Sequence, residues 1–354
     1  MPQTTEDWKD PTVVHRNRED GHTPLGVYPE ARAALSGDAS PYRVSLDGTW
    51  KFALYDNPGE VPTAFSEPDY DDSGWSDITV PGNWQLQPDA LKPASDIPIY
   101  VNVQYPHPVD ERYQPLLRKM HENSDWNHIL SIRVPEEAMA VPLNPPEHNP
   151  TGLYRTRFTV PAGWDGRTAF LRFEAVDSAF HLWVNGRLAG FSTDSRLPAE
   201  FNVTAFVRPG DNTMALEVYR WPVSSYIEDQ DYWRLSGIYR GVTLWSAPTV
   251  MLWDYTVRTD LDASYRDALL AVRAVVRGEA AGYRMEGTLL DATGAPVLTR
   301  PLGAAVTDGT AALAARVADP AKWSDEQPNL YTLVLSLLDP AGNVVQAERT
   351  RVGF

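Results

Sequence analysis

Three carboxylates fall within four residues at Glu228-Asp-Gln-Asp231. Glycosidic bonds are broken by two carboxyl groups, one protonating the leaving oxygen and one attacking or activating water, so the residue types suit sugar hydrolysis. Their spacing does not. Neighbouring strand residues point to opposite faces, which leaves only Asp229 and Asp231 on one side. The stretch reads better as a structural or rim network, with Arg234 and Arg240 as natural partners. Asp194, after a strand end in Gly190-Phe-Ser-Thr-Asp-Ser-Arg-Leu-Pro198, has a carboxylate able to accept from sugar hydroxyls or to ligate a cation. Asn102, in Ile99-Tyr-Val-Asn-Val-Gln-Tyr-Pro106, can donate and accept toward hydroxyls. Both residue types are also common turn formers, and taken alone they leave the two roles open. Trp50, Trp75, Trp84, Trp183, Trp221, Trp233 and Trp245 could stack on sugars, but burial in a core explains most of them. The seven His are scattered. There is no metal-binding His-Glu-x-x-His pattern, no phosphate-cradling Gly loop, no dinucleotide fingerprint and no nucleophile elbow.

The elements that would position these residues are short strands. Pro and Gly, 30 and 23 in 354 residues, break the chain into brief pieces that alternate with period two. Trp50, Phe52 and Leu54 share a face, as do Ala169, Leu171, Phe173 and Ala175, and then Met214, Leu216 and Val218. Asn185-Gly186 between Phe180–Val184 and Arg187–Phe191 predicts a tight hairpin, because a type I′ turn needs two residues that tolerate positive φ. Helical periodicity is confined to Ala31–Leu35 and, weakly, Tyr113–Asn123. Many strands and few helices predict β-sandwiches. A boundary falls near Ala247-Pro248. Strands then follow at Tyr255–Arg258, Leu269–Val276, Met285–Leu290, Ala311–Val317, Leu330–Leu338 and Val344–Val352, the size of an immunoglobulin-like domain.

The formal charge of −16 repels phosphate backbones and argues against nucleic acid as a partner. The lack of Cys excludes disulfides and thiolate chemistry and is compatible with the cytoplasm. Met1–Asp10 has neither a basic start nor an apolar run, and no apolar stretch reaches ~18 residues, so neither a signal peptide nor a membrane span is expected.

Several strings, in this order and spacing, resemble bacterial β-galactosidases of glycoside hydrolase family two. They are Leu46-Asp-Gly-Thr-Trp-Lys-Phe52, Val80-Pro-Gly-Asn-Trp-Gln85, Pro98–Pro106, Asn149-Pro-Thr-Gly-Leu-Tyr154, Ser178–Gly190, Asp194–Phe201, Tyr226–Arg240, Trp323 with Pro328-Asn-Leu-Tyr331, and Val352-Gly-Phe354. The resemblance implies an all-β chain: an extended arm over 1–40, a jelly-roll, galactose-binding-like domain over 41–247 with an insertion at about 107–148, and an immunoglobulin-like domain over 248–354. Phe354 then falls about where the catalytic barrel of such enzymes begins. The intact enzymes hydrolyse terminal β-galactosides with retention, use sodium and magnesium, and are expected to be homo-oligomers. By the resemblance Asn102, with Val103 beside it, contacts the galactosyl group. Asp194 contacts the galactose and a sodium ion shared with barrel residues. Both catalytic glutamates and the magnesium ligands would lie in the barrel, so the chain alone is expected to be inactive. Three roles stay open: the non-catalytic N-terminal region of a β-galactosidase, a stand-alone carbohydrate-binding module, or an assembly fragment that complements a separate barrel chain.

Overall fold

A computed structural model describes residues 6–91, 96–101, 148–226, 228 and 231–354. The strands, in chain order, begin with β1 (His15–Arg16), β2 (Arg43–Ser45), β3 (Gly48–Tyr55), β4 (Ser76–Val80) and β5 (Ile99–Val101). Next come β6 (Thr151–Val160), β7 (Thr168–Phe173), β8 (Ala179–Val184), β9 (Arg187–Ser192), β10 (Ala199–Asn202) and β11 (Gly210–Tyr219). β12 (Tyr232–Arg234), β13 (Val242–Ala247), β14 (Met251–Leu261), β15 (Ala268–Arg277) and β16 (Arg284–Leu290) follow. The last are β17 (Leu302–Ala305), β18 (Thr310–Val317), β19 (Tyr331–Leu338) and β20 (Val344–Val352). The expected turn of helix is α1 (Ala31–Ser36), ended by Gly37 in the left-handed region. The periodicity at Tyr113–Asn123 and residues 107–147 of the expected insertion lie outside the described residues.

The chain divides into two compact units. The first draws its described residues from Met1–Glu19, Ser45–Ala162 and Leu171–Thr243. Its main sheet has seven strands in the order β1-β9-β8-β11-β6-β3-β4. A four-stranded sheet runs β10-β7-β13-β2, of which β10, Leu171–Phe173 of β7, Val242-Thr243 of β13 and Ser45 of β2 belong to this unit, and β12 pairs with β5 as a ribbon. Period-two alternation sets the packing. In register, Met214, Leu216 and Val218 of β11 lie beside Val184, Leu182 and Phe180 of β8, so one face of the large sheet is a continuous apolar surface. Phe173 of β7 and Phe201 of β10 pack on Phe180 with ring centroids 5.1 and 5.9 Å away. Each of these fully buried rings contributes about 1.5–3 kcal/mol. The hairpin forms as expected, with Asn185 and Gly186 at φ 51° and 77°.

The other face of the large sheet is covered too. Phe65 packs with Leu153, Trp183 and Ala215, and Arg155 holds that covering segment through Asp72 Oδ2 at 2.8 Å. Trp8 stacks on Tyr219 at 5.3 Å. Beside it, His181 Nδ1 meets the Tyr219 hydroxyl at 2.8 Å and Nε2 meets Asp7 Oδ2 at 3.2 Å. Burial lowers the His181 pKa to about 4, so the ring is a neutral structural group near pH 7.

The second unit comprises Asp20–Val44, Gly163–Phe170 and Leu244–Phe354. A three-stranded sheet, β14-β15-β18, and a four-stranded sheet, β17-β16-β19-β20, supply the seven strands of an immunoglobulin-like sandwich. Ala268, Leu270, Val272, Ala274 and Val276 alternate into its core. Leu25, Val27, Phe170 and Trp245 join the same core. The main-chain N–H groups of Gly26 and Val27 both donate to Glu348, at 2.6 and 2.9 Å. No helix among the described residues is long and apolar enough to cross a membrane.

Candidate functional site

Three crossings between the seven-stranded and the four-stranded sheets come together. The β7–β8 link carries Asp177, the β9–β10 link carries Asp194 to Pro198, and residues 220–241 connect β11 through β12 to β13. Asp177 and Gly237 exchange main-chain hydrogen bonds of 3.0 and 2.8 Å, which ties the first crossing to the third.

Asp194 sits on the second crossing with φ 85°. A non-glycine residue there carries strain of about 1–3 kcal/mol and persists only when its surroundings hold it. Its Oδ1 accepts from the N–H groups of Arg196 and Leu197, at 2.9 and 3.1 Å. Among the described residues no group is bonded to Oδ2. One carboxylate oxygen therefore serves the turn, and the other is left without a hydrogen bond among the described residues.

The neighbours of Asp194 are anchored over long sequence distances. Ser195 donates from N to Glu228 Oε1 at 2.7 Å and from Oγ to Oε2 at 2.5 Å. The Ser195 carbonyl accepts from the Tyr239 hydroxyl. Arg196 lies 4.3 Å over the Tyr232 ring and 3.7 Å from Asp177 Oδ2. Its carbonyl accepts from Arg240 at 3.3 Å. Arg234 and the Tyr232 hydroxyl both donate to the Glu228 main-chain carbonyl. Underneath, Arg220 forms a buried ion pair with Asp96, whose Oδ2 also accepts from Trp84 and Gln85 at 2.7 and 2.8 Å.

Asp177, Ser195, Arg220, Glu228, Tyr232 and Arg234 surround a cavity of only ≈ 10 Å³, the lower limit for one water and far below the ~300–1,000 Å³ of small-molecule pockets. Burial raises the Asp177 pKa to about 7, against the pull of Arg196. Glu228 spends both oxygens on Ser195, while Asp229 lies outside the described residues. Asp231 accepts from the Tyr100 hydroxyl. Of the tryptophans singled out, Trp50, Trp84, Trp183, Trp221 and Trp245 are buried. Trp233 is 57% exposed, beside Tyr100 at 5.8 Å between ring centroids.

Of the residues expected to contact sugar, only Asp194 can be placed; Asn102 and Val103 lie outside the described residues. No group of three or more His, Asp or Glu able to hold a metal occurs among the described residues. The grip of Glu228 and Tyr239 on Ser195 was missed by the sequence reading. No local signal could reveal it, because the partners are 33 and 44 residues apart.

Comparisons with known proteins agree along the whole chain. The profile described as "Glycosyl hydrolases family 2, sugar binding domain" matches residues 44–138 and 131–248. The profile "Glycosyl hydrolases family 2" matches residues 250–354. The chain is similar to the β-galactosidase of Aeromonas hydrophila subsp. hydrophila, 40% identical over 360 residues, covering 99% of this chain and 32% of that protein. It is also similar to the β-galactosidase of Psychromonas ingrahamii, 38% identical over 357 residues, covering 98% and 31%. The chain thus spans 31–32% of the length of these curated relatives. Among solved structures, Bifidobacterium dentium β-glucuronidase has a TM-score of 0.62 at 18% identity, covering 90% of this chain and 49% of that one. A β-glycosidase from Bacteroides vulgatus has 0.61 at 19%, covering 88% and 34%. At these identities the structural likeness bears on the fold alone.

Proposed function

Because this chain belongs to glycosyl hydrolase family 2, we propose that it is the non-catalytic, sugar-positioning region of a β-galactosidase that acts with a family 2 catalytic barrel. The observation that carries this reading is Asp194: a strained carboxylate held by its surroundings, with one oxygen fixed by the turn and the other left for a ligand. In this reading Asn102, Val103 and the second oxygen of Asp194 contact the galactosyl group. Asp194 also fits a sodium ion as one oxygen ligand of several, since a hard cation gathers its shell from many oxygens and the remaining donors would come from the barrel. Sodium would tie the sugar to the rim, and magnesium would be held entirely by barrel residues. The barrel's paired glutamates would carry out retaining hydrolysis. This chain lowers the barrier by orientation, which acts only where the reacting carboxylates are present.

The test is to assay a chromogenic β-galactoside with the 354-residue chain alone and after mixing with a barrel-containing fragment of a family 2 β-galactosidase. The expected result is no turnover alone, turnover in the complex, and a loss of about 100-fold in kcat/KM for Asp194→Ala in that complex. Turnover by the pure chain alone, abolished by Glu228→Gln or Asp231→Asn, would overturn the reading. Millimolar galactose binding by the isolated chain, lost in Asp194→Ala, would instead make it a self-sufficient binding module.

A further inference from the structure

We propose that Glu228 is a positioning residue for Asp194, acting through Ser195; this rests on the assignment of Asp194 as a sugar contact. Glu228 comes from the third sheet crossing and Asp194 from the second, so local sequence does not bring them together. Both Glu228 oxygens engage one residue. The main-chain N–H of Ser195 donates to Oε1 at 2.7 Å and its hydroxyl to Oε2 at 2.5 Å. Two charge-assisted bonds to a single residue fix its orientation as well as its place. The Ser195 N–H belongs to the peptide group that joins it to Asp194. Holding that group therefore sets the plane from which the Asp194 side chain departs.

Ser195 is held on its third polar group as well, since Tyr239 donates to its carbonyl. Its 1% exposure makes each of these bonds costly to leave unmade. Glu228 is itself fixed: its N–H donates to the Ser224 carbonyl at 3.2 Å, and its carbonyl accepts from Tyr232 at 2.9 Å and from Arg234. Asp194 gains a direction from this chain of restraint. At φ 85° the turn is strained, and a turn released from its anchor relaxes toward ordinary backbone conformations. The clamp keeps Oδ1 on the Arg196 and Leu197 N–H groups and thereby fixes where Oδ2, unbonded among the described residues, is held. Glu228 touches no reacting atom. It does for Asp194 what a second layer of hydrogen bonds does for a metal ligand, where loss of the outer partner costs about 10–100-fold in affinity or activity.

Two measurements test this together. In the 354-residue chain labelled with ¹⁵N-serine, Glu228→Ala should move the Ser195 amide resonance strongly, and Glu228→Gln, which keeps an acceptor for the N–H, should move it less. In the complex with a catalytic barrel, Glu228→Ala should lower kcat/KM by about 10–100-fold, with most of the loss recovered by Glu228→Gln. An unmoved Ser195 resonance in Glu228→Ala overturns the clamp. So does full activity in Glu228→Ala when Asp194→Ala is impaired. If Asp194→Ala is itself as active as the unsubstituted complex, the sugar-contact reading fails instead, and the amide resonance alone decides whether the clamp exists.

Discussion

The Asp194 turn of the first unit and two hairpin turns of the second, at Asp291 and Asp339, use the same local device, a carboxylate accepting from main-chain N–H groups just downstream. Asp291 Oδ1 takes the N–H groups of Thr293 and Ala295 at 2.8 and 3.0 Å. Asp339 does the same for Ala341 and Asn343 at 2.9 and 2.8 Å. In those hairpins the left-handed residue is Gly294 or Gly342, where positive φ carries no Cβ penalty. Local side-chain and main-chain donors lower the pKa values of Asp291 and Asp339. At Asp194 the aspartate itself is the left-handed residue, and residues far along the chain hold its neighbour. The contrast separates turns closed by local bonds around a glycine from a turn whose non-glycine left-handed residue has a neighbour held by distant partners.

The contrast extends to charge pairs, where the largest effects are expected. Arg220 and Asp96 beneath the Asp194 crossing are both buried, and breaking a buried pair leaves an uncompensated charge. Arg220→Ala should destabilise the protein by about 3–5 kcal/mol in urea unfolding. Arg316 pairs with Asp267 in the second unit at 2.7 Å, but its side chain is 72% exposed. Arg316→Ala should cost no more than about 1 kcal/mol. Equal losses would mean that the two units do not differ in this respect.

An intermediate effect comes from Asp177. Burial lifts its pKa to about 7 from an ordinary 3.8, despite Arg196, Arg234 and Arg220 nearby and with Glu228 adding repulsion. The folded state therefore holds a proton that the unfolded state has released. The stabilisation is complete below about 3.8 and is lost as pH rises through about 7. His181, lowered to about 4, works in the opposite sense, stabilising above its ordinary value and failing as pH falls. Urea unfolding from pH 4.5 to 7 should show Asp177→Asn removing a downward slope of up to about 1.4 kcal/mol per pH unit. A constant offset between the two proteins across that range would mean that Asp177 stays charged.

The smallest effects return to the turns. Asn accepts the same N–H groups and tolerates the left-handed region, so Asp194→Asn should change stability by less than about 0.5 kcal/mol. Asp291→Ala, which removes the acceptor, should cost about 1 kcal/mol. Thermal denaturation of both variants checks the order, and a larger loss in Asp194→Asn would show that the charge itself holds its turn.

Much of the fold was legible because it depends on neighbours in sequence. Period-two alternation marked β11 and β15, and Asn185-Gly186 marked its hairpin. β17 escaped because Leu302-Gly-Ala-Ala305 offers one large apolar side chain and no alternation. The place of Leu25 and Val27 in the second core escaped for another reason: their partners lie hundreds of residues away. The site divides along the same line. The type and turn position of Asp194 could be read locally, whereas the hold of Glu228 on Ser195 depends on how the crossings converge. Glu228 stands out in the sequence for its charge, whereas in the fold both its carboxylate oxygens are taken by a serine 33 residues earlier.

The second unit's core includes Leu25, Val27, Phe170 and Trp245, all outside the residues 250–354 matched by its own family profile. A unit assembled this way cannot be cut out and transplanted as one continuous stretch of gene. Leu25, Val27, Phe170 and Trp245 must travel with residues 250–354 if the second unit's core is to stay whole.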